Sequence, residues 1–253
     1  MNFNFKNIRK NIITYSYLQG GHLGGSLSAV EILYTLYSEF YNSKKNNIIV
    51  SKGHSAVGVY CVLECIGLMD KSTLETYSLN NSKLIGHVNS KIKGISYSSG
   101  ALGNGLGVGL GMALSDKFFF ENENVYVVLS DGELNEGSTM EAIQFAGHNK
   151  VENLIAILDK NNIQASNFTK NIIDTDLIIS AIDKLGWEVV VCENGNDVES
   201  IKKAVLKKSK DKPTLIVCHT KKGCGINFIE NDPSWHHRQL SEQEYQNAIK
   251  ELL

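Results

Sequence analysis

The sequence predicts an α/β fold built on a doubly wound parallel sheet, and two observations carry this prediction. Short apolar runs rich in β-branched residues, typical of strands buried on both faces, occur at 125–129, 154–158, 187–191 and 214–218. The segments between them are long enough for crossover helices; residues 175–186, for example, have a helical period and end at Gly186. Alternating strands and helices of this kind form parallel sheets that bind ligands at the carboxyl ends of the strands.

Helices are also predicted before the first of these strands. Residues 26–41 place apolar and aromatic side chains on one helical face, and Ser28 and Glu31 have the spacing of a capping box. Residues 98–114 carry glycine at alternate positions up to Gly111. We interpret this stretch as a turn that ends at residue 103 and leads into a closely packed helix.

The composition limits the class of protein. The 253 residues include 25 Lys and Arg against 27 Asp and Glu, a net charge of −2, so the basic excess typical of proteins that bind nucleic acid or anionic membranes is missing. No apolar run approaches the roughly 20 residues of a membrane-spanning helix, and residues 1–14 do not resemble a signal peptide. Five cysteines without Cys-x-x-Cys spacing favour a reduced, cytoplasmic compartment. We expect a single domain over residues 1–253.

Polar side chains follow two of the predicted strands at the point where each ends. One predicted strand is followed by Ser130-Asp131-Gly132, and the next is followed by Asp159-Lys160-Asn161-Asn162-Ile163. Carboxylate and amide oxygens are ligands that Mg²⁺ prefers, together with water and phosphate oxygens. The helix predicted from Gly137 onward would add peptide N–H groups for a diphosphate. Such residues also occur in ordinary turns and loops, so both interpretations stay open on these residues alone.

Five blocks of sequence resemble the transketolase family and occur in the order found in that family. They cover nearly the whole chain from about Tyr15: GGHLGGSLS at 20–28, VSKGHSAVGVY at 50–60, SSGALGNGLGVGLGMAL at 98–114, LSDGELNEGSTMEAIQFAGHNKVENLIAILDKNNIQ at 129–164, and HTKKGCGINFIENDPSWHH at 219–237. SDG at 130–132 and KNN at 160–162 resemble the thiamine diphosphate signature, usually written GDG and NN. The resemblance implies the thiamine diphosphate-binding fold, in its diphosphate-binding module.

The resemblance also implies a cofactor site. Asp131, the side-chain oxygen of Asn161 and the backbone carbonyl of Ile163 match ligands of Mg²⁺, with Ca²⁺ or Mn²⁺ as alternatives. Residues that match the loops approaching thiamine diphosphate are Gly100, Leu102 and Gly132. Histidines that match contacts to its phosphates are His54 and His236, whereas His22 and His87 match histidines around the reacting carbon and the substrate hydroxyls. Glu136 and Glu141 match acidic residues that reach across a dimer interface in the family.

The histidines have a pattern of their own. Four of the seven histidines directly follow a glycine, which suggests rings presented from turns: His22, His54, His87 and His148. We interpret His148 as structural, because a cation suits the end of a helix. The histidines lack the spacing of known zinc motifs. Our hypothesis is that His22 and His236 relay protons while His54 and His87 hold hydroxyls.

The implied function is transfer of a two-carbon ketol unit from a ketose phosphate to an aldose phosphate, the reaction type of the pentose phosphate pathway. The family's pyrimidine-binding and C-terminal domains have no counterpart in this sequence, so we expect a C-terminal partner subunit in an α2β2 assembly. Alternatives are another thiamine-dependent transferase subunit, such as a deoxyxylulose-phosphate-synthase-like one, and a non-catalytic cofactor-binding protein. His237 and Arg238 depart from the family pattern, which often has Gly and a small residue there; Arg238 either binds a phosphate or is solvated.

Overall fold

A parallel sheet organises the chain in the computed structural model, which describes residues 5–42, 47–119, 123–165 and 167–253. Its strands are β1 (Asn47–Val50), β2 (Val125–Ser130), β3 (Leu154–Lys160), β6 (Glu188–Cys192) and β7 (Thr214–His219). A separate antiparallel pair joins β4 (Ile163–Gln164) to β5 (Asn167–Phe168). The helices are α1 (Phe5–Gln19), α2 (Leu23–Ser28), α3 (Val30–Thr35), α4 (Ala56–Cys65), α5 (Lys71–Leu74), α6 (Asn104–Phe119), α7 (Gly137–His148), α8 (Thr175–Lys184), α9 (Val198–Leu206) and α10 (Glu242–Glu251).

The order of the strands within the described part of the sheet is β1-β2-β3-β7-β6, and every neighbouring pair is parallel. Parallel neighbours need crossover connections, and helices supply them here. The carboxyl ends of β1, β2, β3 and β7 therefore meet along one edge. The predicted α/β, doubly wound class is confirmed.

Helices cover both faces of the sheet. Alternate strand residues point to opposite sides, so Ile48 and Val50 pack into one apolar cluster while Ile49 packs into the other. The first cluster is completed by α1 to α4, α9 and α10, and the second by α6, α7 and α8. Two buried faces explain why β2, β3 and β7 have continuous apolar runs. The predicted burial on both faces is wrong for β6, which ends the described strand order and has Val191 48% exposed.

The structure corrects the helix predicted over residues 26–41. The first helical segment already begins at Leu23, α2 ends at Ser28, and α3 is followed by a π-helical turn, Leu36–Phe40. The predicted capping box is absent. Ser28 Oγ donates to an Asp159 carboxylate oxygen at 2.7 Å, and Glu31 accepts from Arg9 at 2.7 Å. Both side chains are buried, so tertiary partners replace the local cap.

Strand β1 lies outside the predicted elements, whereas the predicted end of α8 agrees with the structure. The apolar run of β1, Ile48 to Val50, is too short to be distinguished by its pattern. α8 ends two residues before Gly186, whose φ of +94° fits the predicted glycine at a helix end.

The glycine-rich stretch forms the predicted turn and then α6. Close packing holds for three of its glycines: a Cβ at Gly103 would lie 2.5 Å from Glu136 Cβ, one at Gly105 would lie 2.3 Å from Ser51 Oγ, and one at Gly109 would lie 2.5 Å from Val127 Cγ2. At Gly107 and Gly111 a Cβ would meet nothing within 4 Å. The close-packing interpretation of the whole alternating series is therefore wrong for these two positions, because a helix turns them away from the sheet.

Alanine substitutions at two of these glycines should have opposite effects on stability. Gly109→Ala forces a methyl group against Val127 and should lower the free energy of unfolding by about 1–3 kcal/mol. Gly107→Ala gains the same helix propensity without a clash and should raise the free energy of unfolding by up to about 1 kcal/mol. Urea unfolding of the two variants measures the difference. Equal effects at both positions would contradict the packing found for α6.

Candidate active site

Polar and charged residues follow four of the parallel strands, whose carboxyl ends lie at the same edge of the sheet. Lys52 and His54 come shortly after β1, Asp131 follows β2 directly, Asn161 follows β3, and Lys222 lies shortly after β7. The sheet order places these ends side by side. The structure therefore brings together Asp131 and Asn161, which lie 30 positions apart in the chain.

The Asp131 carboxylate has one satisfied oxygen and one unsatisfied oxygen. Oδ2 accepts from the backbone N–H groups of Asn161 and Asn162, both at 2.8 Å. Oδ1 is buried and has no hydrogen-bond partner among the described residues. Burial, with the nearby charge of Asp159, raises the pKa of Asp131 to about 7. A buried carboxylate oxygen without a donor fits a bound cation, which would supply the missing interaction.

A cavity of about 300 Å³ adjoins this carboxylate. Its lining residues are Gly25, His54, Leu102, Ser130, Gly132, Asn135, Glu136, Asn161, Ile163, Gln164, Ala165, Ile172, Ile173, Lys222 and His236. Asn135 Nδ2 donates to Gln164 Oε1 at 2.9 Å, which leaves Asn135 Oδ1 and Gln164 Nε2 buried and without partners in the described segments. These atoms could bind a polar ligand in the cavity.

A buried ion pair fixes the strand ends around the cavity. Lys52 Nζ pairs with the Asp159 carboxylate and donates to the carbonyl of Gly25 at 2.9 Å. The same carboxylate accepts from Ser28 Oγ at 2.7 Å and from the hydroxyl of Thr220. Burial opposes the charge of Asp159, but Lys52 and these hydrogen bonds outweigh it and hold the pKa of Asp159 below its ordinary value.

Five histidine rings form a cluster, with His22 at its centre. The distances between ring centroids are 4.6 Å from His22 to His237, 5.3 Å to His54, 5.4 Å to His236 and 6.0 Å to His87. The four histidines transferred from the family resemblance thus lie together in space. His237, at a position where the sequence departs from the family pattern, joins them.

Burial and neighbouring positive groups keep the inner histidines neutral. Burial, with His237 and His87, lowers the pKa of His22 to about 4. Burial and Lys222 lower the pKa of His236 to about 3, and burial and Lys52 place the pKa of His54 well below its ordinary value. Near neutral pH these imidazoles carry no charge, so each ring can both donate and accept a hydrogen bond.

Lys222 connects the histidines to the predicted metal ligands. Its Nζ lies 2.9 Å from His236 Nδ1 and donates to the carbonyl of Ile163 at 3.4 Å. Burial and then Lys52 lower the pKa of Lys222 to about 8, so its ammonium form still predominates at neutral pH. An ammonium group bonded to Nδ1 makes that nitrogen an acceptor, which leaves the proton of His236 on Nε2.

The other predicted site residues divide into two groups. Leu102, Gly132 and Glu136 line the cavity, and Leu102 is 41% exposed. Gly100 is exposed and is not among the lining residues, and Glu141 lies in a separate surface depression between α6 and α7.

Sequence reasoning missed the burial of Lys52 and Lys222 and the pairing of Asp159 with Lys52. Lysine is seldom buried, so no local pattern marks Lys52 or Lys222 as interior residues. The sequence marks these residues only indirectly, because all three lie inside blocks that resemble the family.

In the parts of the chain that the structure describes, no three His, Cys, Asp or Glu residues are grouped so that they could hold a metal ion. No helix in these segments has the length and hydropathy needed to cross a membrane.

Comparisons with known proteins agree with this architecture. Residues 11–252 match the family model described as transketolase, thiamine diphosphate binding domain. The chain is 39% identical to an apulose-4-phosphate transketolase subunit of Actinobacillus succinogenes, over 98% of its own length and 94% of that protein. It is 32% identical to the subunit of the same name from Phocaeicola vulgatus, over 96% of this chain and 90% of that protein.

Solved structures show the same fold. The transketolase from Campylobacter jejuni superimposes with a TM-score of 0.88 at 24% identity, over 100% of this chain. The match spans only 43% of that transketolase chain.

The fold and the site define a thiamine diphosphate-binding α/β module. The chain belongs to the transketolase family, in its N-terminal, thiamine diphosphate-binding part. The resemblance found in the sequence and the enzyme class that it implied, a transketolase-type transferase subunit, are confirmed.

The buried ion pair should contribute much more to stability than an exposed one. Lys52→Met leaves the Asp159 charge buried without its cation and should lower the free energy of unfolding by about 3–5 kcal/mol. The control is Lys117→Met, which removes a half-exposed pair with Glu152 at 2.7 Å and should cost less than about 1 kcal/mol. Urea unfolding at pH 7 measures both variants. Similar losses for the two would show that the Lys52 pair is not a structural centre.

Proposed function

We propose that this chain is the diphosphate-binding subunit of a transketolase that moves a two-carbon ketol unit from a ketose phosphate to an aldose phosphate. The observation that carries the proposal is the buried, unpartnered Oδ1 of Asp131 at the same sheet edge as the histidine cluster. Both relatives compared above are named for a ketose phosphate, which supports a phosphorylated ketose as the donor.

The residues present fit a divalent cation and a diphosphate. Asp131 Oδ1, the side-chain oxygen of Asn161 and the carbonyl of Ile163 form the all-oxygen donor set that Mg²⁺ prefers. Lys222, which lines the cavity, supplies positive charge for the diphosphate. A Cβ at Gly132 would lie 3.3 Å from Gln164 Oε1, so glycine lets this segment pack closely against a side chain that lines the cavity.

Thiamine diphosphate, when bound, supplies the electron sink for breaking the carbon–carbon bond. The histidines hold and move protons. His236 presents its Nε2–H because Lys222 occupies Nδ1, so it can donate a hydrogen bond from Nε2. The ring of His22 has no hydrogen-bond partner among the described residues, and its low pKa keeps it able to accept one. We assign the proton relay to these two rings, and the binding of substrate hydroxyls to His54 and His87.

Two alternatives remain distinguishable from this proposal. Another thiamine-dependent transferase subunit would bind the same cofactor and differ in its substrates. A non-catalytic cofactor-binding protein would have no use for four clustered imidazoles, and the histidine geometry therefore favours an enzyme.

Asp131→Asn should abolish most Mg²⁺-dependent binding of thiamine diphosphate. Loss of groups behind a metal ligand typically costs 10–100-fold in affinity, so loss of a ligand's charge should cost at least about 10-fold. Titration calorimetry with thiamine diphosphate in Mg²⁺ and in EDTA, with the partner subunit present, measures the effect. The control is Asp183→Asn, an exposed carboxylate on α8, which should bind as the wild type does.

Folding can be separated from binding in this experiment. The raised pKa of Asp131 means that its charge is less stable in the folded chain than in the unfolded chain. Above pH 7 the cofactor-free Asp131→Asn variant should therefore be at least as stable as the wild type. Mg²⁺-dependent binding that survives in this stable variant would refute the assigned metal site.

We further propose that the active site is completed by a second subunit that carries the pyrimidine-binding module, in an α2β2 assembly. Both relatives are named as transketolase subunits, and this chain covers at least 90% of the length of each. The rim of the cavity supports a covering partner, since Leu102, Ile172 and Ile173 are 41%, 47% and 52% exposed. A second apolar area lies between α6 and α7, where Phe145 is 51% exposed.

The two-subunit proposal makes a direct prediction for activity. This chain alone should show less than about 1% of the ketol transfer measured after adding the pyrimidine-binding subunit, because one module leaves the cofactor half enclosed. A coupled assay with a ketose phosphate donor measures the activity, and light scattering measures the mass of the complex. Full turnover by the isolated chain would overturn the two-subunit proposal without affecting the cofactor site.

A further inference from the structure

The imidazole of His237 is the ring nearest to His22. Its centroid lies 4.6 Å away, compared with 5.3 to 6.0 Å for the other three neighbours. His237 follows the short 3-10 turn Pro233–Trp235 and precedes Arg238. A histidine at this place adds a further ring to the cluster of four that the proposed function already uses.

The ring of His237 is exposed, and no described residue forms a hydrogen bond with it. The rings of the cluster divide into two sets. His54 and His236 line the cavity beside Asn161, whereas His22, His87 and His237 are outside its lining. The first pair is therefore on the side of the proposed cofactor site, and the other three rings extend the cluster outside this cavity.

The chain on both sides of His237 is held in place. Trp235 is buried, and its ring meets Phe228 edge-on at 5.5 Å between centroids. The guanidinium of Arg238 lies 4.2 Å from the centre of the Trp235 ring and forms an ion pair with Glu244 on α10. These contacts fix the backbone that presents the His237 ring to His22. The charge of Arg238 is paired with that of Glu244 in the same chain.

We propose that His237 is a specificity-determining residue that hydrogen-bonds the substrate hydroxyl on the carbon next to the reacting carbonyl. This inference rests on the proposed ketol transfer. A neutral imidazole can donate to or accept from a hydroxyl, and a substrate without that hydroxyl leaves the ring's bond unmade. To distinguish substrates with and without this hydroxyl, the His237 ring needs only its position beside His22 and ring nitrogens that no described residue engages.

The test compares two acceptor aldehydes that differ only in this hydroxyl, D-glyceraldehyde and 3-hydroxypropanal. The two-subunit complex, saturated with thiamine diphosphate and Mg²⁺, is assayed as wild type, His237→Gly and His237→Gln. The ratio of kcat/KM for glyceraldehyde to that for 3-hydroxypropanal should fall about 5- to 10-fold in His237→Gly, mainly through KM for glyceraldehyde. His237→Gln, which retains a donor and an acceptor, should keep most of the ratio.

A ratio unchanged within about twofold in His237→Gly would overturn the inference, because a ratio of two substrates does not depend on the fraction of folded or loaded enzyme. His148→Gln, an exposed histidine at the end of α7, is the matched control and should leave the ratio unchanged. Failure of the proposed function has a different signature: the wild-type complex would then transfer no ketol unit to either aldehyde, and the inference would fall with it.

Discussion

The buried pair of Lys52 and Asp159 is the interaction on which the site depends. It joins the segment after β1 to β3, and its hydrogen bonds extend to α2 through Gly25 and Ser28 and to the end of β7 through Thr220. Each ion is almost completely removed from water, so neither is tolerable without the other. One pair therefore links the elements that carry the predicted cation ligands and the histidines.

The same buried cations shape the chemistry of the histidines. Lys52 and Lys222 add to burial in lowering the pKa of His54 and His236, so these imidazoles stay neutral beside fixed positive charge. A positive environment of this kind suits a diphosphate, whose negative charge would oppose the lowering. The cations beside the proposed diphosphate site and the histidines that we propose to carry protons are thus parts of one electrostatic arrangement.

The sequence pattern predicted most strands of the sheet, but it failed at one strand and at one helix cap. Short apolar runs predicted β2, β3, β6 and β7, and for β2, β3 and β7 the reason is that a strand buried on both faces needs apolar side chains at nearly every position. The pattern failed for the short β1, and it failed at Ser28 and Glu31, where buried tertiary partners replaced the predicted cap. Local spacing cannot reveal partners that lie more than a hundred positions away, as Asp159 does from Ser28.

The sequence by itself determined the fold class, the family and the identity of most residues at the candidate site, since these depend on hydrophobic pattern and on motifs that are local in the chain. Only the tertiary structure decided which side chains meet. It buried Lys52 and Lys222, left Asp131 Oδ1 without a hydrogen-bond donor among the described residues, and placed His237 beside His22. Burial and the contacts between distant segments follow from how the layers pack, and no segment encodes them alone.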